Sequence, residues 1–148
     1  MNKQLILLRH GHRQKISFDN GLSEKGQKQA KAISKFFSHR FSEKPMLVSS
    51  PKKRCLETLD PLSKEYKREI EILAFLDEGG ALEDKAIGFR KWIETEAPDL
   101  VVACSHGDVL PTIIQNLTGA RVDLKKGSWT HILIHHSGNR LFELIQKL

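Results

Sequence analysis

Two cysteines, five prolines and one tyrosine in 148 residues leave several classes of protein without a basis. Cys55 and Cys104 stand far apart in the chain and form no CxxC pair, so a disulfide framework is not expected and a reducing compartment is. No stretch approaches the ~20 apolar residues of a membrane span. The apolar run Leu5-Ile6-Leu7-Leu8 is short and Arg9 follows it, so no signal peptide is expected and a cytoplasmic location is. Aromatic residues are also missing around Lys52-Lys53-Arg54, the densest basic run, which argues against a nucleic-acid partner. No carboxylate or cysteine stands at ligand spacing beside His10-x-His12, and His135-His136 would point to opposite faces of a strand, so neither a metal nor another cofactor is expected. Repeats, low-complexity tracts and linkers are lacking too. Residues 1–148 therefore read as a single domain.

What is present is an ordinary globular composition, 39% hydrophobic and 28% charged, with a formal net charge of +6 and a pI near 9.4. The positive balance favours anionic ligands. Residues 3–8 read as a strand, and Asp19-Asn20-Gly21 marks a turn. From Ser23, an expected N-cap, Ala30, Ile33, Phe36, Phe37 and Phe41 recur at helical spacing. Met46-Leu47-Val48 is a second strand. Ser50-Pro51 reads as N-cap and first residue of a helix that kinks or stops near Pro61.

A third strand is expected over Glu69–Leu73, then an irregular Asp77-Glu78-Gly79-Gly80 segment. A helix from about Leu82 to Glu96 follows, with Ile87, Trp92 and Ile93 inward and Ala97-Pro98 as its end. Leu100–Cys104 is apolar enough for a buried parallel strand. A helix runs from Asp108, its expected N-cap, to about Leu117. Thr130–His135 and Leu141–Ile145 close the chain as two strands joined at Ser137-Gly138-Asn139. Alternating β and α elements predict an α/β fold, a three-layer α/β/α sandwich with a mostly parallel sheet and an antiparallel hairpin or edge at its end.

Two of these strands end in a histidine followed by glycine: Leu8-Arg9-His10-Gly11 and Ser105-His106-Gly107-Asp108. Ligands of open α/β sheets bind at the carboxyl ends of the strands. Arg9 leaves the sheet with His10, and Arg54 lies in the opening turns of the helix after the second strand. Guanidinium groups match phosphate oxygens two at a time and stay charged near neutral pH, and helix N-termini add N–H donors. A neutral imidazole in such a pocket can attack phosphorus and carry it as phosphohistidine. Trp129 reads as a core residue rather than a pocket wall.

The ordered set Leu8-Arg9-His10-Gly11, Gly21-Leu22-Ser23-Glu24-Lys25-Gly26, Ser49 to Thr58 and Ser105-His106-Gly107 resembles the histidine phosphatase (phosphoglycerate mutase-like) superfamily. Gly107-Asp108-Val109-Leu110-Pro111 and Lys126-Gly127-Ser128-Trp129 look closest to its short, phosphohistidine-phosphatase-like members. The resemblance implies a phosphoglycerate mutase-like fold, His10 as the phosphorylated nucleophile, and Arg9, Arg54 and His106 in the phosphate pocket. It implies a general acid from a central loop, where Glu78 lies, with Asp77, Glu83 and Asp108 as rivals. His12 and Arg13 depart from the family's usual short polar or acidic residues. Arg13 would extend the phosphate pocket or grip a second anionic group. The implied partner is a phosphorylated protein or small phosphate ester, and a phosphate-binding module without turnover is the alternative.

Overall fold

The computed structural model describes residues 2–15 and 18–135, and the backbone of 140–145. The chain forms β1 (Lys3–Arg9), α1 (Glu24–Arg40), β2 (Met46–Ser49), α2 (Lys53–Tyr66), β3 (Ile70–Ile72), a 3-10 turn (Ala74–Leu76) and α3 (Leu82–Thr95). It continues through β4 (Leu100–Ser105), α4 (Val109–Thr118), β5 (Trp129–Ile134) and β6 (Arg140–Ile145). One sheet has the order β3-β2-β4-β1-β5-β6. The β3, β2, β4 and β1 strands are parallel, and β5 and β6 add antiparallel at the β1 side. The expected turn at Ser137-Gly138-Asn139 lies outside the described residues.

Strand side chains alternate between faces, and the two cores follow that alternation. Leu5, Leu7, Val48, Val101, Ala103 and Ile132 meet α3 and α4 on one face. Ile6, Leu8, Leu47, Val102, Cys104 and Trp129 meet α1 and α2 on the other. This is the expected three-layer arrangement. Trp129 is buried, with its ring 5.2 and 4.9 Å from those of Phe36 and Phe37, as its core reading predicts. Cys55 and Cys104 are both buried and unbridged.

The β1 and β4 strands lie side by side in parallel, with Arg9 opposite Ser105. The helix after β1 packs on one face and the helix after β4 on the other. The chain ends leaving these two strands therefore diverge and open a crevice between them, which is where doubly wound sheets bind ligands. His10 and His106 stand one residue beyond paired positions, at the mouth of that crevice.

Three local expectations are corrected, and a fourth holds in position only. The α2 helix begins at Lys53 after Lys52 as N-cap, not at Ser50-Pro51. The Ser50 hydroxyl is instead engaged with His106 Nε2 at 2.7 Å. The same helix continues through Pro61 to Tyr66. Beyond the proline, Leu62 and Tyr66 are buried, and the Tyr66 hydroxyl lies 2.9 Å from both the Phe37 and Phe41 carbonyls at the end of α1. That tertiary anchoring overrides the local preference. In α3 the inward stripe is Ala86, Phe89 and Ile93, while Ile87 is 58% exposed. Asp108 stands at the N-cap position of α4 but makes no capping bond; its Oδ2 accepts from Gly79 N–H at 2.8 Å.

Candidate active site

His10 is buried at the end of β1. Its Nδ1 donates to the Gly11 carbonyl at 2.8 Å, which leaves Nε2 as the unprotonated ring nitrogen. Arg54 Nε points at that atom from 3.4 Å. Burial is the chief reason the His10 pKa is lowered to about 3; the Gly11 bond opposes it, and His106, Arg54 and Arg9 reinforce it. The imidazole is neutral at physiological pH. The turn carrying it is tied to α2, since Gly11 N–H donates to Thr58 Oγ1 at 3.0 Å and Thr58 donates to the Arg54 carbonyl at 2.7 Å.

His106 leaves β4 beside it, with the two rings 5.4 Å apart between centroids. Ser50 occupies its Nε2, so Nδ1 is the end turned toward Arg54 NH2 at 3.3 Å and Glu78 Oε2 at 3.8 Å. Arg54 is 2% exposed and pairs with Glu78 Oε2 at 2.6 Å. Its NH1 is buried without a hydrogen-bond partner, as is Nε of Arg9. Arg9 is anchored at its other end by NH1 donating to the Leu124 carbonyl at 2.7 Å. Gly107 lets this side chain cross the β4 turn, because a Cβ there would lie 2.7 Å from Arg9 Cζ. Burial, then Arg13, lowers the Arg9 pKa, with Asp108 opposing and Arg54 adding to the effect.

An unpaired buried guanidinium nitrogen costs about 1–3 kcal/mol or more when no acceptor reaches it. Two of them beside a neutral imidazole and a second histidine are chemically suited to a tetrahedral oxyanion.

A family model described as histidine phosphatase superfamily (branch 1) matches residues 5–87. The chain belongs to this superfamily. No curated protein matches the sequence. Among solved structures, the chain is similar to the protein histidine phosphatase SixA complexed with tungstate, with a TM-score of 0.82 and 14% identity over 97% of this chain and 96% of that one. It is similar to a mycobacterial glucosyl-3-phosphoglycerate phosphatase, with a TM-score of 0.80 and 17% identity over 100% of both chains. It is similar also to a mutant phosphoserine phosphatase from Entamoeba histolytica in complex with phosphoserine, with a TM-score of 0.79 and 16% identity over 97% and 96%. These likenesses show the histidine phosphatase fold.

Of Asp77, Glu78, Glu83 and Asp108, Glu78 lies against Arg54 at 2.6 Å and His106 at 3.8 Å. Lys85 Nζ fastens the loop, donating to the carbonyls of Asp77 at 2.6 Å and Gly79 at 2.7 Å. Asp77 accepts from Glu78 N–H at 2.9 Å and faces Lys52 Nζ at 3.6 Å, so it braces the loop and its rim. Glu83 is exposed on the first turn of α3. Asp108 clamps the loop through Gly79. Arg13 sits near enough to Arg9 for their charges to repel, and its side chain makes no hydrogen bond or ion pair among the described residues.

His12 Nδ1 lies 2.6 Å from Ser23 Oγ. No group of three or more histidine, cysteine or carboxylate side chains suited to a metal occurs among the described residues. Sequence reasoning missed Ser50 as the partner of His106, Thr58 as the brace of the His10 turn, and Lys85 as the fastener of the Glu78 loop. None of these carries a spacing signal.

Proposed function

We propose that the protein is a phosphatase that hydrolyses phosphate monoesters or phosphohistidine through a covalent phosphohistidine on His10. The observation that carries this reading is the neutral His10 imidazole, with Nε2 free of a proton, facing a buried Arg54 whose NH1 has no partner. In the first step the Nε2 lone pair forms a bond to phosphorus and the bond from phosphorus to the leaving oxygen or nitrogen breaks. Arg9, Arg54 and His106 hold the three non-bridging oxygens, stabilising charge where it grows. Glu78, in its protonated form, gives its proton to the leaving atom. In the second step water attacks phosphorus, Glu78 takes a proton from it, and the P–N bond breaks to restore His10 and release phosphate.

A phosphorylated imidazole departs more readily than an alkoxide, so such a substrate depends less on Glu78. The likeness to SixA supports a phosphohistidine substrate; the phosphoserine and glucosyl-3-phosphoglycerate phosphatases support small esters. A binding module needs arginines but not a neutral, buried nucleophile, which disfavours that alternative.

The test is turnover of p-nitrophenyl phosphate with trapping of the phosphoryl label in alkaline denaturant. Turnover, with a protein label that is acid-labile, base-stable and absent in His10→Ala, is expected. Tight phosphate binding with neither turnover nor label would leave a binding module.

A further inference from the structure

Behind the phosphoryl pocket lies a fully buried hydroxyl, that of Ser50, against the equally buried His106. The backbone of Ser50 is fixed from two sides. Its N–H donates to the Cys104 carbonyl at 3.0 Å, and its carbonyl accepts from Ser49 Oγ at 2.8 Å. The Ser50 Oγ accepts from Lys52 N–H at 3.2 Å and stands 2.7 Å from His106 Nε2.

A buried hydroxyl has a proton to place as well as lone pairs to fill. Lys52 N–H fills one lone pair of Ser50 Oγ. Among the described residues, His106 Nε2 is the partner of this hydroxyl that can accept its proton. Cys55 Sγ also approaches Nε2, at 3.6 Å, but the Ser105 carbonyl at 3.7 Å takes its S–H. Where Nε2 of a neutral imidazole accepts, the ring proton resides on Nδ1.

That atom lies 3.3 Å from Arg54 NH2 and 3.8 Å from Glu78 Oε2. Nδ1–H and an Arg54 N–H then converge on one oxygen, here the Oε2 of Glu78. The opposite tautomer turns a lone pair toward that oxygen and leaves the Ser50 proton without an acceptor.

Resting on the phosphatase reading, we infer that Ser50 is a positioning residue for the reaction: its hydroxyl donates to His106 Nε2 and so holds His106 as a neutral Nδ1–H donor to the transferred phosphoryl group. A donor fixed before the phosphoryl group arrives has no reorientation to make as charge grows on the oxygens. Without the hydroxyl, the ring is free to carry its proton on Nε2 and accept from Arg54 through Nδ1. Ser50 itself touches no substrate atom.

The experiment pairs nitrogen-15 NMR of the histidine side chains, with inorganic phosphate present, with steady-state kinetics on p-nitrophenyl phosphate. It uses the native chain, Ser50→Ala and Cys55→Ala, with folding checked by circular dichroism. The native His106 is expected to show Nδ1 protonated and Nε2 bare. Ser50→Ala removes a single oxygen. It should move the proton toward Nε2 and lower kcat/KM about ten- to hundredfold, the size of a hydrogen bond to a charged group. Cys55→Ala should keep the native tautomer and stay within about threefold, because a thiol is a weak hydrogen-bonding group.

A native His106 with its proton on Nε2, or on both nitrogens, overturns the inference. So does Ser50→Ala with an unaltered tautomer, since a merely structural role lowers the rate without moving the proton. An equal loss in Cys55→Ala makes the sulfur the effective partner of Nε2 and overturns it too. Phosphate binding to His10→Ala needs no turnover. Adding Ser50→Ala should weaken it about tenfold, and equal affinities overturn the inference. Absence of turnover in the native chain, with tautomer and binding as expected, overturns the phosphatase reading alone.

Discussion

His10 is kept unprotonated by its surroundings rather than by the pH of the solvent. Its pKa falls from an ordinary 6.5 to about 3, chiefly through burial, so the unfolded chain binds a proton that the folded one refuses anywhere between those values. The native state therefore keeps this contribution in full above about pH 6.5 and loses it as the pH drops toward 3. Denaturant midpoints should decline over that window, and decline less in His10→Asn, where nothing titrates at the position. Nitrogen-15 NMR of the imidazole should show Nδ1 protonated and Nε2 bare from pH 8 to pH 5, and a titration centred near 6.5 would overturn the assignment. Gly107 sets a second condition at this scale. In Gly107→Ala the new Cβ meets Arg9 Cζ at 2.7 Å, so the Arg9 side chain must leave its place beside the β4 turn. A loss of about tenfold or more in kcat/KM, with an unchanged circular dichroism spectrum, is expected.

Among the elements, α3 separates pattern from packing. Phe89 is fully buried and Ile87 is 58% exposed, although both are apolar and two positions apart. Thermal or urea unfolding should show Phe89→Ala losing about 3–5 kcal/mol. Ile87→Lys should stay within about 0.5 kcal/mol, as solvent-facing substitutions do. The difference shows what local spacing carries. Periodicity identified the helix and its length, but three apolar residues spread around it do not say which arc meets the sheet.

The strand ends that bring His10 and His106 together are legible because apolar runs, a histidine and a glycine occur in consecutive positions. The N-cap of α1 was legible for the same reason: Ser23 accepts from Gly26 N–H at 3.1 Å. Why glycine stands there was not, since it depends on the His12 carbonyl, which a Cβ at position 26 would meet at 1.9 Å. Ser50 is not the N-cap of α2, and Asp108 stands at the N-cap of α4 without a capping bond, because the side-chain partners of the two, His106 and Gly79, lie 56 and 29 residues away. Glu78 could be placed in the right loop by its position in the chain, but its pairing with Arg54 is a product of the fold.

At the scale of the whole molecule, the net charge of +6 acquires a location. On the helix surfaces, Lys28 pairs with Glu24, Lys64 with Asp60 and Arg90 with Glu94, each one turn apart, so those cations are largely cancelled where they stand. Near the crevice between β1 and β4, Arg9 is repelled by Arg13 and Arg54, and Lys126 by Arg9, Arg13, Lys15 and Arg54, while Glu78 pairs with Arg54 and Asp108 attracts Arg9. The reach of these crevice charges into solvent is set by ionic strength, about 10 Å at 0.1 M and 3 Å at 1 M salt.

Raising sodium chloride from 0.05 to 0.5 M should lower kcat/KM about three- to tenfold, while kcat at saturating substrate changes little, because the buried contacts that hold the bound phosphoryl group are screened far less than the approach to it. Steady-state kinetics across a salt series measures both. An equal fall in kcat would place the effect in the chemical step instead. Lys126→Gln should flatten the dependence of kcat/KM on salt, since the slope then reports one fewer charge at the mouth.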